Sequence, residues 1–176
     1  MSPGRGVCVV GHSRTGTNML AGVFAAHGFF FGECRKPDDR NPKGFFENLK
    51  IYNGRRDVLE VLKEDGLPGR CDWGVKVGPG RYEAVKDCPF YLTLVTYRPK
   101  FEIKASRKKV KGFGTAPSNM NTKSITGPFM VINTSDLVSG DYTEVRKAFD
   151  LLERPFSEKL ANDWIDPTIW NRGLET

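Results

Sequence analysis

Histidine and cysteine are scarce in this chain, and their scarcity argues against a metal site. There are two histidines, His12 and His27, and four cysteines, none of them in a Cys-x-x-Cys spacing. Zinc is normally held by clustered Cys, His or acidic ligands. The sequence therefore predicts no metal site. Cys8 lies in the apolar run 7–10 and is predicted to be a core residue of a protein kept in a reducing compartment.

Long apolar segments are missing as well. No stretch approaches the roughly 20 consecutive apolar residues of a membrane span, and the N-terminus has no apolar core followed by a signal-peptide cleavage site. Internal repeats and low-complexity linkers are also absent from the sequence. We therefore expect one domain over residues 1–176, soluble and located in the cytoplasm.

The charge balance favours an anionic partner. The 176 residues include 27 Lys and Arg against 21 Asp and Glu, which gives a net charge of +6. A nucleic acid, a membrane surface or a phosphorylated small molecule would each suit such a charge. The densest basic patch, Arg107 to Lys109 with Lys111, is of the kind that usually forms a solvated face.

Short apolar runs alternate with helical patterns along the chain. Strands are predicted at residues 7–10, 73–77, 90–97 and 129–133, with 29–31 as a further candidate, and helices at 16–27, 48–63, 99–109 and after Asp141. Gly28 is placed to end the first helix, and Asp141 with Glu144 resembles a capping box. Strands that alternate with helices form parallel βαβ units. We therefore predict an α/β, P-loop-like three-layer fold with a central, mainly parallel sheet.

A glycine-bounded loop joins the first predicted strand to the first predicted helix. It reads Gly11-His-Ser-Arg-Thr-Gly-Thr-Asn18. In such a loop the backbone N–H groups converge on an anion, and the helix dipole adds a favourable potential. The sequence therefore predicts a phosphate-binding site at this turn.

The loop departs from the pattern of nucleoside-triphosphatases, G-x-x-x-x-G-K-[ST]. Gly11 and Gly16 have the required spacing, but Thr17 stands in the lysine position and Asn18 in the position of the magnesium ligand. Arg14, inside the loop, supplies a cation instead. A P-loop kinase acting on a small molecule is therefore the less favoured alternative.

The segment from Gly11 to Leu20 resembles the 5′-phosphosulfate loop of the sulfotransferase family, G-x-x-[RK]-[ST]-G-T-[TS]-x-L. It departs from that pattern at Asn18, where the family has Thr or Ser, although an amide can still bond a phosphate oxygen. The resemblance implies that the chain binds 3′-phosphoadenosine-5′-phosphosulfate. It also implies that the following residues hold the 5′-phosphate: Ser13, Arg14, Thr15, Gly16, Thr17 and Asn18.

A second motif of the family follows the strongest predicted strand. Arg98 directly follows that strand, and Ser106 lies eight positions later in the next predicted helix. This strand, Arg and Ser arrangement is similar to the sulfotransferase motif for the 3′-phosphate. The resemblance implies that Arg98 and Ser106 bind this phosphate, for which the fork of an arginine is well suited.

Further segments extend the resemblance over nearly the whole chain. Residues 41–48 (Asn-Pro-Lys-Gly-Phe-Phe-Glu-Asn), 73–76 (Trp-Gly-Val-Lys), 133–137 and 151–156 are similar to stretches of bacterial sulfotransferases. Transfer of a sulfuryl group to a hydroxyl or amine acceptor would then proceed by in-line displacement, with positioning and charge stabilisation as the main contributions of the protein. We expect the acceptor to be a small or carbohydrate-like molecule, and we expect no nucleic-acid partner.

The chemistry of the transfer step, together with the resemblance, indicates the catalytic groups. Arg14 and Lys76 would meet the charge that develops on the bridging oxygen. Either Glu33 or Glu47 would act as the general base, and Lys43 would contact the acceptor or the sulfuryl group.

The two histidines are less suited to be the base. His27 lies on the apolar face of the first predicted helix, and His12 lies in the phosphate loop, from which it points poorly for this role. Besides the kinase, a non-catalytic nucleotide-binding protein remains an alternative. A nucleic-acid binder would be expected to carry interleaved aromatic residues, which are lacking.

Overall fold

A computed structural model of the chain describes residues 4–38, 41–52, 57–67, 71–108 and 119–170. Some sequence predictions concern residues outside these ranges. They are Lys109 and Lys111 of the basic patch, residues 53–56 of the predicted second helix, and residues 111–118 of the loop predicted before the last strand.

Four strands form one parallel sheet. They are β1 (Gly6–Val10), β2 (Trp73–Val77), β3 (Leu92–Tyr97) and β4 (Phe129–Asn133). The order across the sheet is β2-β1-β3-β4, and every pairing is parallel. Because β1 and β3 are central, each is buried on both faces, which explains their predominantly apolar composition. The predicted parallel α/β fold is confirmed.

Helices connect the strands and complete the chain. They are α1 (Thr17–Ala26), α2 (Leu49–Tyr52), α3 (Val58–Glu64), α4 (Pro79–Tyr82), α5 (Lys100–Lys108), α6 (Thr134–Val138), α7 (Thr143–Leu151), α8 (Glu158–Trp164) and α9 (Pro167–Trp170), with a 3₁₀ turn at Thr122–Ser124. Within the described ranges, no helix combines the length and the hydropathy that crossing a membrane requires.

Alternate residues of β1 face two separate cores. Val7 and Val9 pack with residues of α1, α7 and α8, whereas Cys8 and Val10 pack with residues of α3, α4 and β2. The sheet is therefore covered by helices on both faces, which gives the predicted three layers. Cys8 is fully buried, as predicted, and this burial raises the pKa of its thiol.

Three predicted elements differ from the structure. Residues 29–31 do not form a strand: Phe30 makes one isolated bridge to Trp73, and the flanking Phe29 and Phe31 are buried in the core. Within the predicted helix 48–63 the structure has two helices, α2 and α3, and Asp57, directly before α3, has an extended backbone. The strand predicted at 90–97 begins two residues later, at Leu92.

The predicted capping box is also wrong, although the predicted end of α1 is confirmed. Gly28 follows α1 with a left-handed φ of 92°. Asp141 Oδ1 accepts from the N–H of Thr143 at 2.9 Å, while Glu144 pairs with Lys147. Because α7 begins only at Thr143, Glu144 lies too early in the helix for the reciprocal bond of a capping box.

Gly22 marks a close contact between α1 and α8, and it provides a test of their packing. A Cβ atom on Gly22 would overlap the indole ring of Trp164. We expect Gly22→Ala to lower the free energy of unfolding by about 1–3 kcal/mol because of this overlap. At a solvent-exposed helix position, alanine would instead be more stable than glycine by about 1 kcal/mol. Urea denaturation followed by circular dichroism measures this change.

Gly80→Ala is the matched control for that substitution. Gly80 is also helical, but a Cβ atom there would meet no other atom within 4 Å. We expect this variant to be as stable as the natural chain or slightly more stable. Equal stability of Gly22→Ala and the natural chain would contradict the contact between α1 and α8.

Candidate functional site

The predicted site residues lie at the edge of the sheet where three neighbouring strands end. Gly11 follows β1, Lys76 is the penultimate residue of β2, and Arg98 directly follows β3. Since β2, β1 and β3 are adjacent and parallel, these positions share one edge. Ligands of parallel α/β folds bind at this carboxyl edge.

Buried hydroxyl groups hold the glycine-bounded loop from inside the fold. The Thr15 hydroxyl is fully buried, donates to the backbone carbonyl of His12 at 2.7 Å, and lies 2.7 Å from the hydroxyl of Thr96 on β3. Its N–H also donates to the His12 carbonyl. The Thr15 side chain therefore shapes the loop and does not face a ligand space, although the sequence placed it among the phosphate-binding residues.

Thr134, at the start of α6, holds the next part of the loop. Its hydroxyl donates to the carbonyl of Thr15 at 2.8 Å. A Cβ atom on Gly16 would lie 2.6 Å from this hydroxyl oxygen, and Gly16 has a φ of 86°. Both the close approach and the left-handed backbone therefore require glycine here. Arg14 also adopts a positive φ, 73°, which is uncommon for a residue with a side chain.

The N-terminus of α1 faces this loop without a side-chain cap. Gly16 occupies the cap position, no side chain bonds the first turn there, and the first turn has no acidic residue. The first N–H groups of a helix have no intrahelical partner. The ten-residue α1 therefore presents the positive end of its dipole, with the half-buried Thr17 and Asn18, to the loop.

The structure brings the two predicted anion motifs together. Arg14 Nε donates to Ser106 Oγ at 2.8 Å, and Arg98 Nη1 lies 3.5 Å from the backbone carbonyl of Arg14. Burial, and secondarily the charge of Arg98, lowers the pKa of Arg14. Two guanidinium groups thus share a confined region in which an anion would relieve their repulsion.

Neighbouring polar groups fix the position of Arg98. Its Nε donates to Glu102 Oε2 at 2.8 Å, and the same carboxylate oxygen accepts from the Ser135 hydroxyl at 2.7 Å. The Asn119 side chain bonds both the N–H and the carbonyl of Arg98. These partners were missed in the sequence, because only the fold brings α6 and residue 119 beside β3.

A second polar cluster surrounds Lys76. The Lys76 ammonium group donates to Asn18 Oδ1 and to Glu47 Oε1, and only 5% of its side chain is exposed. The Asn18 amide thus connects the phosphate loop to Lys76. The structure brings together the predicted Lys76, Glu47 and Asn18, which lie far apart in the sequence.

Burial lowers the pKa of Lys76, while the charge of Glu47 opposes this effect. The Cys34 thiol lies near the same pair. Burial, followed by the charge of Glu47, raises the pKa of Cys34 to about 11, so this thiol is protonated at neutral pH. The cluster therefore combines one ion pair with a neutral thiol in a largely dry environment.

Glu47 and Glu33 occupy different surroundings. Glu47 is half-buried beside Lys76, whereas the Glu33 side chain is exposed. The backbone carbonyl of Glu33 accepts from the N–H of Leu49 at 2.9 Å, which fixes its segment but leaves the carboxylate outside the Lys76 cluster. Of the two predicted bases, Glu47 is the one that the fold brings to Lys76.

His27 packs in the core region, as the sequence predicted. Its Nε2 accepts from the N–H of Ser157 at 3.0 Å, so Nδ1 carries the proton that it donates to the carbonyl of Val23. Its ring also stacks on Phe156. For His12, burial and the charge of Arg107 lower the pKa, which favours the neutral ring.

Arg107, predicted from the sequence to lie on a solvated face, adds a cation to the site. Its Nη2 lies 3.4 Å from the backbone carbonyl of Ser13 and donates to it. The last turn of α5 therefore reaches the phosphate loop and increases its positive potential.

Contacts of Lys43 and Asn48 anchor segment 41–48, which carries Glu47. Lys43 donates to the backbone carbonyls of Asp163 and Trp164 at the end of α8, where a cation also complements the helix dipole. Asn48 Oδ1 accepts from the N–H of Lys50 at the start of α2. Lys43 was predicted to contact the acceptor or the sulfuryl group, but its ammonium group is used to bind this segment to α8.

A pocket of about 280 Å³ opens beside the Lys76 cluster. Ser13, Glu47 and Lys76 line it on the side of the phosphate loop, and residues of α2 and α4 line it elsewhere. The pocket therefore gives a small molecule access to both Glu47 and Lys76.

Among the described residues, no group of three or more His, Cys, Asp or Glu side chains is arranged to hold a metal ion. The comparisons with known proteins add no family assignment. No protein-family model matches the chain, and a search of curated proteins finds no significant match.

Proposed function

We propose that this protein is a sulfotransferase that uses 3′-phosphoadenosine-5′-phosphosulfate as its donor. The observation that carries the proposal is the hydrogen bond from Arg14 Nε to Ser106 Oγ, 2.8 Å long, which joins the two motifs of the resemblance across 92 positions of the chain. Adjacent parallel strands bring both motifs to one edge of the sheet, and this bond places their side chains in direct contact. Their meeting supports one ligand that carries two separated phosphate groups.

The chemistry of these residues fits such a donor. The N-terminus of α1 and the loop around Gly16 offer N–H groups to the 5′-phosphate. Arg98 and Ser106 offer charged and neutral donors to the 3′-phosphate. Arg14, in the first motif, contacts Ser106 of the second, and its pKa is lowered first by burial and then by the charge of Arg98, which an anion would compensate.

The residues of the second cluster suit the transfer step. The donor, when bound, supplies the sulfuryl group and a 5′-phosphate leaving group. Lys76 would stabilise the negative charge that develops at the leaving oxygen, because its ammonium group is held in a largely dry site. Glu47 would accept the proton of the acceptor hydroxyl. Both residues line the pocket, so an acceptor bound there could contact Glu47 and Lys76 together.

The ion pair of Lys76 and Glu47 is compatible with a catalytic role for both residues. In the resting protein each charge compensates the other, so neither is buried alone. A donor that brings negative charge to Lys76 would release the carboxylate of Glu47 for the acceptor. The pair would thus couple the arrival of the donor to activation of the acceptor.

Nucleotide binding tests this function first. We expect adenosine 3′,5′-bisphosphate to bind at least about tenfold more tightly than AMP, because each charge-assisted hydrogen bond to the 3′-phosphate contributes about 1.5–3 kcal/mol. Isothermal titration calorimetry measures both affinities. Ser106→Ala should weaken binding of the bisphosphate and leave that of AMP nearly unchanged.

Equal affinities for the two nucleotides in the natural chain would argue against the proposal. Magnesium-dependent binding and hydrolysis of ATP would favour the P-loop kinase alternative instead. Thr17 and Asn18 argue against that outcome, since they replace the lysine and the magnesium ligand of the triphosphatase loop.

A further inference from the structure

The outer part of the pocket contains a cation and an aromatic ring. The guanidinium carbon of Arg81 lies 5.4 Å from the ring centroid of Tyr52, and Arg81 Nη1 donates to the backbone carbonyl of Ile51 at 3.1 Å. Both residues line the pocket. Arg81 is exposed, and so is 46% of Tyr52. The ring and the backbone bond together orient the guanidinium group.

Arg81 differs from nearby cations in its charge balance. Lys50 pairs with Asp65 and Lys86 pairs with Glu83, but Arg81 has no carboxylate partner among the residues that the structure describes. A guanidinium group has five N–H donors, and one carbonyl uses only one of them. Arg81 therefore offers an oriented, uncompensated cation to whatever enters the pocket.

Two glycines keep the pocket open beside this cation. Gly78 has a φ of −78° and a ψ of 163°, a conformation that any residue adopts, and Gly80 is helical. A Cβ atom at either position would meet no other atom within 4 Å. Neither the backbone nor close packing requires glycine here. Both glycines line the pocket, and because they have no side chains they leave free volume in it.

The dimensions limit the occupant to a small molecule. The volume of about 280 Å³ is just below the usual range for ligand pockets, which begins at about 300 Å³. One six-membered ring with short substituents suits such a space. The part of the Tyr52 ring that Arg81 leaves exposed can contact a flat or pyranose ring, and Arg81 can form a bidentate bond with a carboxylate or a similar anion.

We infer that the pocket binds a single-ring hydroxyl compound that carries an anionic substituent. The anion contacts Arg81, the ring lies against Tyr52 above the two glycines, and the hydroxyl group points to Glu47 and Lys76. The role of this compound as the acceptor rests on the proposed function. In that role its oxygen bonds the sulfur as the bond from sulfur to the 5′-phosphate oxygen breaks, the electron pair leaves on that phosphate, and the hydroxyl proton passes to Glu47.

Binding of matched acid and neutral probes tests this inference in the full chain. One pair is 4-hydroxyphenylacetate with 4-methylphenol, and the other is methyl glucuronide with methyl glucoside. We expect the acid of at least one pair to bind about tenfold or more tightly than its neutral partner, as a charge-assisted bond provides. Ligand-observed NMR titration measures the affinities, and the pair that shows the preference identifies the kind of ring.

Variants of the pocket separate charge from shape. Arg81→Met should remove the preference for the acid and change the affinity for the neutral probe little. Gly80→Leu should weaken both members of a pair about tenfold or more, because its side chain fills the free volume. Arg146→Met is the control, since Arg146 lies on α7, pairs with Glu158 and does not line the pocket.

The outcomes distinguish this inference from the proposed function. Equal affinity for acid and neutral probes in both pairs, or a preference that persists in Arg81→Met, would overturn the inference. If adenosine 3′,5′-bisphosphate failed to bind while the acid preference held, the sulfotransferase proposal would fail and the anionic ring site would stand.

Discussion

Glu47→Gln is expected to lower the turnover of sulfuryl transfer by about 10²–10⁴-fold and to leave nucleotide affinity nearly unchanged. Glutamine has the size of glutamate and can still accept a hydrogen bond from Lys76, but it cannot take the proton of the acceptor. Steady-state kinetics with 3′-phosphoadenosine-5′-phosphosulfate and a weakly acidic hydroxyl acceptor measures the effect. A weakly acidic acceptor is needed because an acidic hydroxyl depends less on a base.

Glu33→Gln is the matched control for this substitution. Glu33 was the competing base in the sequence analysis, and its exposed side chain lies outside the Lys76 cluster. We expect it to keep nearly full turnover. A result in which Glu33→Gln is inactive and Glu47→Gln remains active would reverse the assignment, and activity of both variants would remove the glutamate base altogether.

Lys76→Met is expected to lower turnover by about 10²–10³-fold, the effect of losing one preorganised donor to a developing negative charge. Affinity for adenosine 3′,5′-bisphosphate should change much less, because this product lacks the sulfuryl group. Lys86→Met is the control, since Lys86 pairs with Glu83 on the surface. A thermal unfolding measurement on each variant separates a loss of turnover from a loss of folding.

The pH dependence of turnover provides a second readout for Lys76. Burial lowers the pKa of Lys76 below its ordinary value of 10.5. Only the protonated amine stabilises negative charge, so the contribution of Lys76 to turnover should be complete below its folded pKa and be lost as the pH rises through that pKa. The alkaline decline should therefore lie below pH 10.5 in the natural chain and disappear in Lys76→Met. Identical alkaline profiles for the two proteins would contradict the role of Lys76.

The sheet could be predicted from the sequence because its central strands are buried on both faces. Such strands are predominantly apolar, as in residues 7–10 (Val-Cys-Val-Val) and 92–97 (Leu-Thr-Leu-Val-Thr-Tyr). The run 29–31 (Phe-Phe-Phe) is also apolar, yet only Phe30 bridges to Trp73, while the neighbouring phenylalanines are buried in the core outside any strand. Apolar composition reports burial, and it does not by itself distinguish a strand from a buried turn.

The candidate site was predictable where a residue type and its spacing define a motif. Arg14, Arg98 and Ser106 belong to such motifs, and the fold brings them together. Thr96 and Thr134 were missed because a threonine in or after a strand has no distinctive signal. Their contribution depends on which way the hydroxyl points, and tertiary packing determines that direction.

Lys43 is a residue for which the sequence predicted a substrate contact that the structure does not show. A lysine in a predicted loop next to a candidate base suggests contact with a substrate, but its ammonium group binds the end of α8. The partner lies about 120 positions away in the sequence. No local pattern contains that information, because the partner consists of backbone carbonyls that every residue possesses.

The bond between Lys43 and α8 has a consequence for biosynthesis. Glu47, Lys76 and the phosphate loop are translated early, but α8 begins only at Glu158. At about 5–20 residues per second, the ribosome needs several seconds to add the helix that holds segment 41–48 in place. During that interval a nascent chain contains every proposed catalytic side chain without the helix that positions one of them, so assembly of this site is a late event of synthesis.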